Sequence, residues 1–343
     1  MTVTQTTLNP RSGSGGRPVA QRGAGVRQPV MRGHFVLACD LGGTHLRVAV
    51  LESGGSVLLR QEILTPKDDP RALARTMRFV LENAGRTIAG VVVGVPGPVD
   101  YSRGEVIDLP NLPGWEGSIS AASLSQELGR PVLLANDADL AALGEHRFGA
   151  GRGYEDMLYV TSSTGVGAGV IIGGRLLHGR FSLAEAGHTI IDLTTGGTVE
   201  SLGSGTALAR ASGEDPATVA DRAKRGDLEA LRQFTRVADA FAVGVFNLVH
   251  CFSPQLVVIG GGMSQAGELL LGPVREILAR CGPNCPASHP KVVRAQGGDD
   301  VGLLGGLAYW MDFSKEAMPP AEAPGRASLR RRTSRRRERL DGP

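Results

Sequence analysis

Two apolar runs flank a pair of glycines near the start of the chain. Phe35–Cys39 and Leu46–Leu51 are short and apolar and contain β-branched residues, which indicates two strands. Asp40-Leu41-Gly42-Gly43-Thr44 stands between them, and adjacent glycines between strands predict a tight turn that can reach positive φ. The exposed N–H groups of such a turn can cradle phosphate oxygens, although an ordinary hairpin turn has the same pattern.

The same arrangement returns about 120 residues further along the chain. Asp156–Thr161 is predicted to be a strand, Ser162–Gly167 a polar glycine turn and Ala168–Ile172 the return strand. An internal repeat of this kind indicates a duplicated fold, because each half of the chain contributes one glycine hairpin. We therefore expect a phosphate chain to lie between the two halves.

The rest of the hydrophobic pattern predicts further strands and helices. Short apolar runs predict strands at Val57–Leu64, Ile88–Val95, Pro131–Ala135, Leu256–Ile259 and Lys291–Ala295. Apolar residues at helical spacing predict helices at Asp69–Ala84, Ser118–Leu128, Ala138–Phe148, Thr206–Ala211, Pro216–Arg225, Leu228–Phe252, Gln265–Arg280 and Val301–Met311. Asp68 or Asp69, and Ser264, are expected to cap helices. The mixture indicates the α/β fold class.

Several polar motifs stand at the ends of these elements. Pro96–Asp100 is a rigid loop after a strand, and Asn111–Trp115 is another, with an amide and an indole. Asn136-Asp137 separates a strand from a helix, where a carboxylate is either a helix cap or a functional group. Glu185-Ala186-Gly187-His188 and Glu200 follow the second glycine hairpin. These motifs supply the candidate functional residues.

The composition indicates a globular protein of about two domains. The chain has 343 residues, 41% of them hydrophobic, and no apolar run approaches the ~20 residues of a membrane helix. The first thirty residues are polar and lack the apolar stretch of a secretory signal. The cysteines, Cys39, Cys251, Cys281 and Cys285, are expected to be reduced, which predicts a cytoplasmic protein.

The net charge of +3 is concentrated at the two ends of the chain. Residues 1–34 hold five arginines and no acidic residue, and residues 314–343 hold nine basic and four acidic residues. The ends therefore carry +10 and the body about −7, which argues against a nucleic-acid groove in the folded body. We predict that residues 1–33 are a disordered extension. We predict that residues 314–343 are a solvated basic tail rather than a binding segment for nucleic acid or anionic surfaces.

Seven separated motifs together resemble the ROK family, which groups bacterial sugar kinases with sugar-responsive repressors. The resemblance runs from about Phe35 to Met311 and rests on Asp40–Thr44, Pro96–Asp100, Asn111–Trp115, Asn136–Ala138, Thr164–Gly167, Glu185–His188 and Val258–Gly262. It implies a two-lobed, duplicated, actin-like (ribonuclease H-like) ATPase fold with a central cleft. The lobes would span residues 34–135, together with a closing helix at about 300–312, and residues 136–299.

The resemblance also implies a role for each motif. Asp137 would be the general base, and Asp40 would hold Mg²⁺ through water. ATP would be bound by Asp40, Gly42, Gly43, Thr44, Thr164, Gly165, Gly167, Gly260, Gly261 and Gly262, the last three lying against the adenosine where side chains would obstruct it. The sugar hydroxyls would be bound by Asn111, Asn136, Asp137, Glu185, His188 and Glu200.

These residue types suit the transfer of a phosphoryl group to a sugar. A sugar hydroxyl is a poor nucleophile, so a carboxylate that accepts its proton assists the attack. Backbone N–H groups and Mg²⁺ can stabilise the charge of the phosphoryl group. The expected reaction is ATP-dependent phosphorylation of glucose to glucose 6-phosphate. Amino or N-acetylamino hexoses (N-acetylglucosamine, N-acetylmannosamine, 3-amino-3-deoxyglucose) are alternatives, and the sequence leaves open whether polyphosphate replaces ATP.

The chain departs from the family between His188 and Glu200. Many members carry three cysteines there, which bind a structural zinc together with the histidine, whereas Thr189–Val199 contains no cysteine. Zinc needs about four ligands, so we predict no zinc site and a His188 that binds the sugar. The altered loop also widens the range of substituents expected at C2 or C3 of the sugar.

Two classes without kinase activity compete with this interpretation. A ROK-type repressor needs an N-terminal DNA-binding domain, whereas the 33 residues before the first predicted lobe have almost no apolar periodicity. A sugar-binding regulator without catalysis is disfavoured by Asp137 and the two glycine turns. The resemblance implies a homo-dimer or homo-tetramer, and we expect neither a membrane nor a specific nucleic acid as a partner.

Overall fold

The computed structural model describes residues 35–109, 112–115, 117–182, 185–280 and 290–317. Residues 1–33, for which we predict disorder, lie outside these ranges, and so does the basic tail from residue 318 onwards. Asn111, Cys281 and Cys285 also lie outside them. In the described part of the chain, none of the helices combines the length and the apolar composition that a bilayer crossing requires.

The first sheet contains five strands: β1 (Phe35–Leu41), β2 (His45–Glu52), β3 (Val57–Leu64), β4 (Ile88–Val95) and β7 (Val132–Asn136). Two short strands, β5 (Val99–Asp100) and β6 (Glu105–Val106), form a separate pair. The strand order is β3-β2-β1-β4-β7. β1, β2 and β3 are antiparallel, whereas β4 runs parallel to β1 and β7 parallel to β4.

The second sheet repeats this arrangement with β8 (Met157–Ser162), β9 (Val166–Ile172), β10 (Arg175–Leu176), β13 (Leu256–Gly260) and β14 (Lys291–Arg294). Its order is β10-β9-β8-β13-β14, again with three antiparallel strands followed by two parallel ones. A small hairpin, β11 (Ile190–Asp192) and β12 (Gly197–Thr198), stands apart. The predicted α/β class and the duplicated fold are confirmed.

Nine helices connect and cover the sheets in the described residues: α1 (Arg71–Asn83), α2 (Ala121–Leu128), α3 (Asp137–Phe148), α4 (Val199–Gly203), α5 (Gly205–Ser212), α6 (Pro216–Lys224), α7 (Leu228–Phe252), α8 (Glu268–Ala279) and α9 (Val301–Ala317). Short 3-10 helices occur at Pro113–Trp115, Ala186–His188, Gly262–Ala266 and Gly298–Asp300. The long α7 buries Phe234 and Phe241 completely in the core of the second sheet. This core forms because apolar residues recur at helical spacing along α7.

Polar or glycine residues stand at or next to the carboxyl ends of the parallel strands. In the first sheet Asp40 pairs with Gly94, and Val95 with Asn136. In the second sheet Thr161 pairs with Gly260. Ligands of α/β proteins bind beyond the carboxyl ends of such strands, so the fold brings the motif residues to the expected edges.

The two predicted helix caps have different outcomes. Pro70 occupies the N-cap position of α1, and the carboxylate of Asp69 accepts the N–H of Arg71 (3.2 Å), so Asp69 satisfies one of the free N–H groups as predicted. The prediction for Ser264 is wrong. Ser264 lies inside a 3-10 helix and donates its hydroxyl to the Gly261 carbonyl (2.7 Å), and Gly267, at φ +66°, separates it from α8.

Glu145 joins α3 to the segment that precedes α9. Its side chain is fully buried, and Oε1 accepts the N–H groups of Gln296 (2.8 Å) and Gly297 (2.6 Å). Oε2 accepts the N–H of Ala150 (2.8 Å). A buried carboxylate with three backbone donors is a strong link between segments that are distant in the sequence.

We expect Glu145→Gln to lower the free energy of unfolding by about 2–3 kcal/mol, because an amide offers one acceptor oxygen to three buried donors. Denaturant unfolding measures the change. Glu82→Gln is the matched control, since Glu82 is exposed on α1, and it should change stability by less than about 0.5 kcal/mol. Equal stabilities of the two variants would contradict this assignment.

Candidate active site

A cavity of about 830 Å³ lies where the two sheets and α9 meet. Its lining combines both halves of the chain and includes Asp40, Arg47, Asp137, Thr161, Ser163, Gly261, Gly262, Ser264, Gln265, Arg294, Gln296, Asp299 and Gly302. Of the predicted site residues, the structure thus brings together Asp40, Asp137, Gly261 and Gly262. A cavity that is open and polar and lies between two sheets can hold a charged substrate.

Asp137 is the first residue of α3 and is half-buried. Its Oδ1 accepts the N–H of Ala138 (2.8 Å), and the N-terminus of the helix favours a negative charge there. Burial, and next the charge of Asp40, raise the pKa of Asp137 to about 7. A carboxylate with this pKa can take up and release a proton near neutral pH.

Asp40, the penultimate residue of β1, lines the same cavity. Burial raises the pKa of Asp40 above its usual value, although Arg47, whose Nη1 lies 3.5 Å from Oδ2, opposes the rise. Arg47 also contacts Glu62 (3.2 Å), and Arg60 contacts both Glu62 (2.8 Å) and Asp300 (2.9 Å). Asp40 therefore has one weak ion pair, and its carboxylate remains available to a cation.

Magnesium fits Asp40 better than zinc fits any described group. Mg²⁺ keeps several waters and uses one or two carboxylates together with substrate phosphates, which a single half-buried aspartate can satisfy. Among the described residues, no cluster of three or more His, Cys, Asp or Glu side chains could hold a metal ion. The absence of zinc stays a prediction.

Each of the two glycine turns is closed by one backbone hydrogen bond, which spans three residues along the chain in the first turn and two in the second. Gly42 donates its N–H to the His45 carbonyl (2.9 Å), and Ser163 donates its N–H to the Gly165 carbonyl (2.9 Å). In the described residues, the N–H groups of Gly43 and Thr44 in the first turn, and of Thr164 and Gly165 in the second, make no hydrogen bond. Two adjacent free N–H groups in each turn can bind an anion.

The expectation of positive φ in the first turn is wrong, and the second turn has no positive φ at its glycines either. Gly42, Gly43, Gly165 and Gly167 all have other backbone conformations. The reason for glycine is close approach: a Cβ on Gly42 would lie 3.0 Å from the His45 carbonyl oxygen, and one on Gly165 would lie 2.4 Å from Glu200 Oε2. A Cβ on Gly167 would lie 3.1 Å from the side chain of Ala138, at the start of α3.

At Gly260 and Gly261 the reason for glycine differs from the predicted one, which was contact with the adenosine. A Cβ on Gly260 would lie 2.2 Å from the Tyr159 hydroxyl, and one on Gly261, at φ +79°, would lie 2.3 Å from the Ser162 carbonyl oxygen. Protein atoms, rather than a bound nucleotide, therefore exclude side chains at these two positions. At Gly262 the nearest atom is 3.9 Å away, so this position is open to the cavity.

The predicted sugar-binding residues come from three different segments. Glu185 Oε2 lies 3.7 Å from His188 Nε2, and both side chains are exposed. Glu200, in the first turn of α4, accepts the N–H of Val166 through Oε2 (2.9 Å), which leaves Oε1 for another donor. Asn111 lies outside the described residues. Glu185, His188 and Glu200 do not line the large cavity, whereas Asp137 does, and the contacts of the whole set with a sugar stay predictions.

Asn136 has a structural role that the sequence did not show. Its Oδ1 accepts the N–H groups of Ala138 (3.0 Å) and Asp139 (3.2 Å), so Asn136, and not Asp137, is the N-cap of α3. Its Nδ2 donates to the Gly97 carbonyl (3.1 Å). One N–H of the amide remains for a ligand.

Asp139 is a buried carboxyl group that sequence reasoning missed. Its side chain is 1% exposed, and Oδ2 accepts the hydroxyl of Tyr101 (2.6 Å). Burial raises the pKa of Asp139 to about 7. The only sequence signal was an acidic residue in the first turn of a helix, which usually just complements the helix dipole.

A second cavity, of about 390 Å³, adjoins the first and shares Ser163, Gly262 and Gln265 with it. Small and apolar residues dominate its wall, together with a few polar groups: Thr164, Gly205, Thr206, Ala209, Asp215, Pro216, Ala217, Ala220, Asp221, Lys224, Phe234, Met263 and Ala266. Sequence reasoning predicted the helices α5 and α6 but not this cavity. An apolar cavity of this size can hold a flat ring.

Comparison with known proteins gives consistent matches over nearly the whole described chain. The model of the ROK family matches residues 36–312. A glucokinase from Thermotoga maritima is 33% identical over 302 residues, which is 79% of this chain and 95% of the relative.

Two solved structures are similar in fold and sequence. A ROK hexokinase from Thermus thermophilus is 32% identical with a TM-score of 0.71, and the match covers 82% of this chain and 99% of that one. A ROK family glucokinase from Streptomyces griseus, in complex with glucose and AMPPNP, is 31% identical with a TM-score of 0.68. This match covers 80% of this chain and 98% of that one.

Proposed function

This chain belongs to the ROK family and is an ATP-dependent kinase of a hexose, and we propose that its substrate is glucose and that Asp137 is its general base. The product would be glucose 6-phosphate. The observation that carries the proposal is the position of Asp137, at the N-terminus of α3 in the cavity between the two sheets, with a pKa of about 7. Cytoplasmic location and assembly into a homo-dimer or homo-tetramer belong to the same proposal.

The proton of the sugar hydroxyl would pass to Asp137. Removing this proton as the oxygen attacks makes the hydroxyl a competent nucleophile. The free N–H groups of Gly43 and Thr44, and of Thr164 and Gly165, would hold the phosphate oxygens from both sides. Mg²⁺, held through water by Asp40, would supply positive charge to the transferring phosphoryl group.

The donor nucleotide would extend across both cavities. Its adenosine would occupy the second cavity, because the small apolar side chains of Ala209, Ala220 and Ala266 leave room for a ring there. Its phosphates would then reach the first cavity past Ser163 and Gly262, which line both. Only Gly262 of the predicted glycine triplet has open space towards the ligand.

One observation favours the alternative of an amino hexose. Asp40, Asp137, Asp139 and Glu185 are close enough for their charges to affect each other's protonation, and a cationic substituent would relieve this repulsion. N-acetylamino hexoses have no such charge. Glucose remains the proposed substrate because a neutral polyol needs the paired donors and acceptors that Glu185, His188 and Glu200 provide.

We expect glucose to have the highest kcat/KM among glucose, mannose, N-acetylglucosamine, N-acetylmannosamine and 3-amino-3-deoxyglucose. A coupled assay of ADP production measures each value with ATP in excess. A reaction without sugar shows whether ATP is hydrolysed alone. Preference for the amino sugar by more than about tenfold would replace glucose as the proposed substrate, since tenfold corresponds to about 1.4 kcal/mol of transition-state binding.

We expect Asp137→Asn to fold, to bind the sugar and to lose about 10²–10⁴-fold in kcat, because an amide cannot accept the proton. In the unmodified enzyme the rate should fall as the pH falls through about 7, since protonation of Asp137 removes the base. Asp239→Asn, an exposed carboxylate on α7, is the matched control and should keep full activity. Near-normal turnover of Asp137→Asn would remove Asp137 from the mechanism.

We expect Ala209→Phe to raise the KM for ATP about tenfold or more, because the ring would fill the second cavity. The KM for the sugar, measured with saturating ATP, should change less than about twofold, since the residues proposed to bind the sugar do not line the second cavity. Ala211→Phe places the same ring on the exposed side of α5 and serves as the control. Equal effects of the two variants on the KM for ATP would contradict an adenosine site here.

A further inference from the structure

Tyr101 lies at the end of the Pro96–Asp100 loop, a motif of the sequence to which the proposed reaction assigns no role. Its hydroxyl donates to Asp139 Oδ2 (2.6 Å) and accepts the backbone N–H of Asn136 (3.3 Å). Asn136 is the last residue of β7, and Asp139 is in the first turn of α3. One phenol therefore holds both sides of the strand-to-helix junction at which Asp137 stands.

The same loop holds Asn136 at a second point. The Nδ2 group of Asn136 donates to the Gly97 carbonyl (3.1 Å), while its Oδ1 caps α3. The backbone N–H and the side chain of Asn136 are thus both tied to residues 97–101. Because Asp137 follows directly, its direction into the cavity depends on this loop.

Tyr101 is itself held by a segment of the second half of the chain. Its backbone N–H donates to the Arg180 carbonyl (3.2 Å), and its ring lies 4.4 Å from the ring of His178, centroid to centroid. The guanidinium of Arg180 donates through Nε and Nη2 to Asp100 Oδ2 (3.2 and 3.1 Å), and Asp100 is 1% exposed. Tyr101 is therefore tied to the segment of His178 and Arg180 as well as to Asn136 and Asp139.

We propose that Tyr101 is a positioning residue for the phosphoryl transfer, which fixes Asp137 through Asn136 and Asp139 and links it to the segment of His178 and Arg180. The proposal rests on Asp137 being the general base. Tyr101 touches neither the large cavity nor the second one, so it acts through Asp139 and Asn136 rather than on the substrate. A misplacement of about 1 Å in a reacting group can lower the rate up to about 10²-fold.

Asp139 makes this role measurable. In the described residues its Oδ1 has no hydrogen-bond partner, so the phenol is the main support for its negative charge. Burial and Asp139 raise the pKa of Tyr101 well above its usual range, which keeps the hydroxyl protonated as a donor. The hydrogen bond from Tyr101 lowers the pKa of Asp139, against burial and the charge of Glu185.

The charge of Asp139 in turn affects the base. Asp40 from β1, Asp139 from α3 and Glu185, directly before the 3-10 helix Ala186–His188, all raise the pKa of Asp137, after burial. Without the phenol, Asp139 stays neutral to higher pH and no longer repels the charge on Asp137. The pKa of Asp137 should then fall, and the acid side of the rate profile should move to lower pH.

Four variants test the proposal by pH profiles of kcat and kcat/KM on the full chain: Tyr101→Phe, Asp139→Asn, the double variant and Tyr154→Phe. We expect Tyr101→Phe to lower kcat at the pH optimum roughly tenfold with the KM values for sugar and ATP nearly unchanged. The acid limb of its profile, where kcat falls as the pH falls, should move to lower pH by about half a pH unit. The acid limb of Asp139→Asn should move by a similar amount. In the double variant the limb should move no further than in Asp139→Asn, because the phenol acts on it through Asp139.

Tyr154→Phe is the matched control, because the Tyr154 hydroxyl makes no hydrogen bond in the part of the chain that the structure describes. It should keep the kcat and the pH profile of the unmodified enzyme. Thermal unfolding of each variant separates a loss of folded protein from a loss of rate. A folded Tyr101→Phe with unchanged kcat, or with a lower kcat but an unmoved acid limb, would overturn the proposal.

These variants, together with Asp137→Asn, separate the role of Tyr101 from the function on which it rests. If the unmodified enzyme shows no acid limb near pH 7, or if Asp137→Asn retains its turnover, Asp137 is not the base and both proposals are overturned. If the unmodified enzyme shows the limb and Asp137→Asn loses turnover, but the limb of Tyr101→Phe is unmoved, only the role of Tyr101 is overturned.

Discussion

The close contact between α3 and α9 is the constraint on which the geometry of the cavity depends. A methyl group on Gly305 would come within 1.7 Å of the Leu140 carbonyl oxygen, and one on Gly144 within 2.2 Å of the Val301 carbonyl oxygen. Only glycine permits two helix backbones to approach this closely. A methyl group on Gly302 of the same helix would lie 3.4 Å from the carboxyl carbon of Asp40. One helix pair thus holds Asp40 and Asp137 on the same cavity.

The closeness of the carboxyl groups accounts for the chemistry of this cavity. Burial raises the pKa values of Asp40, Asp137 and Asp139, and neighbouring negative charges raise them further. Such a site is costly without a ligand, because buried like charges repel and are poorly solvated. For Asp137 as the proposed general base this pKa is favourable, since a base is most effective when its pKa lies near the working pH. The raised pKa of Asp137 therefore follows from the same packing that places it.

The local pattern of the sequence predicted much of the fold and part of the site. Val57–Leu64, Ile88–Val95 and Leu228–Phe252 agree with the structure at both ends, because hydrophobic period and flanking turn residues are local properties. The repeat of the glycine hairpin was likewise visible, and it indicated the duplication. The local pattern failed at Ser264, where the positive φ of Gly267 ends one helix and starts another.

The sequence by itself determined which residue types stand at the ends of the parallel strands and that two glycine turns recur, because these depend on neighbours along the chain. Only the tertiary structure decided that Gly144 and Gly305 allow the close approach of α3 and α9, and that a second cavity opens beside α5 and α6. It also decided the partner of Asp139, since Tyr101 is 38 residues away in the sequence. Such contacts arise when distant segments pack together, and no periodicity records them.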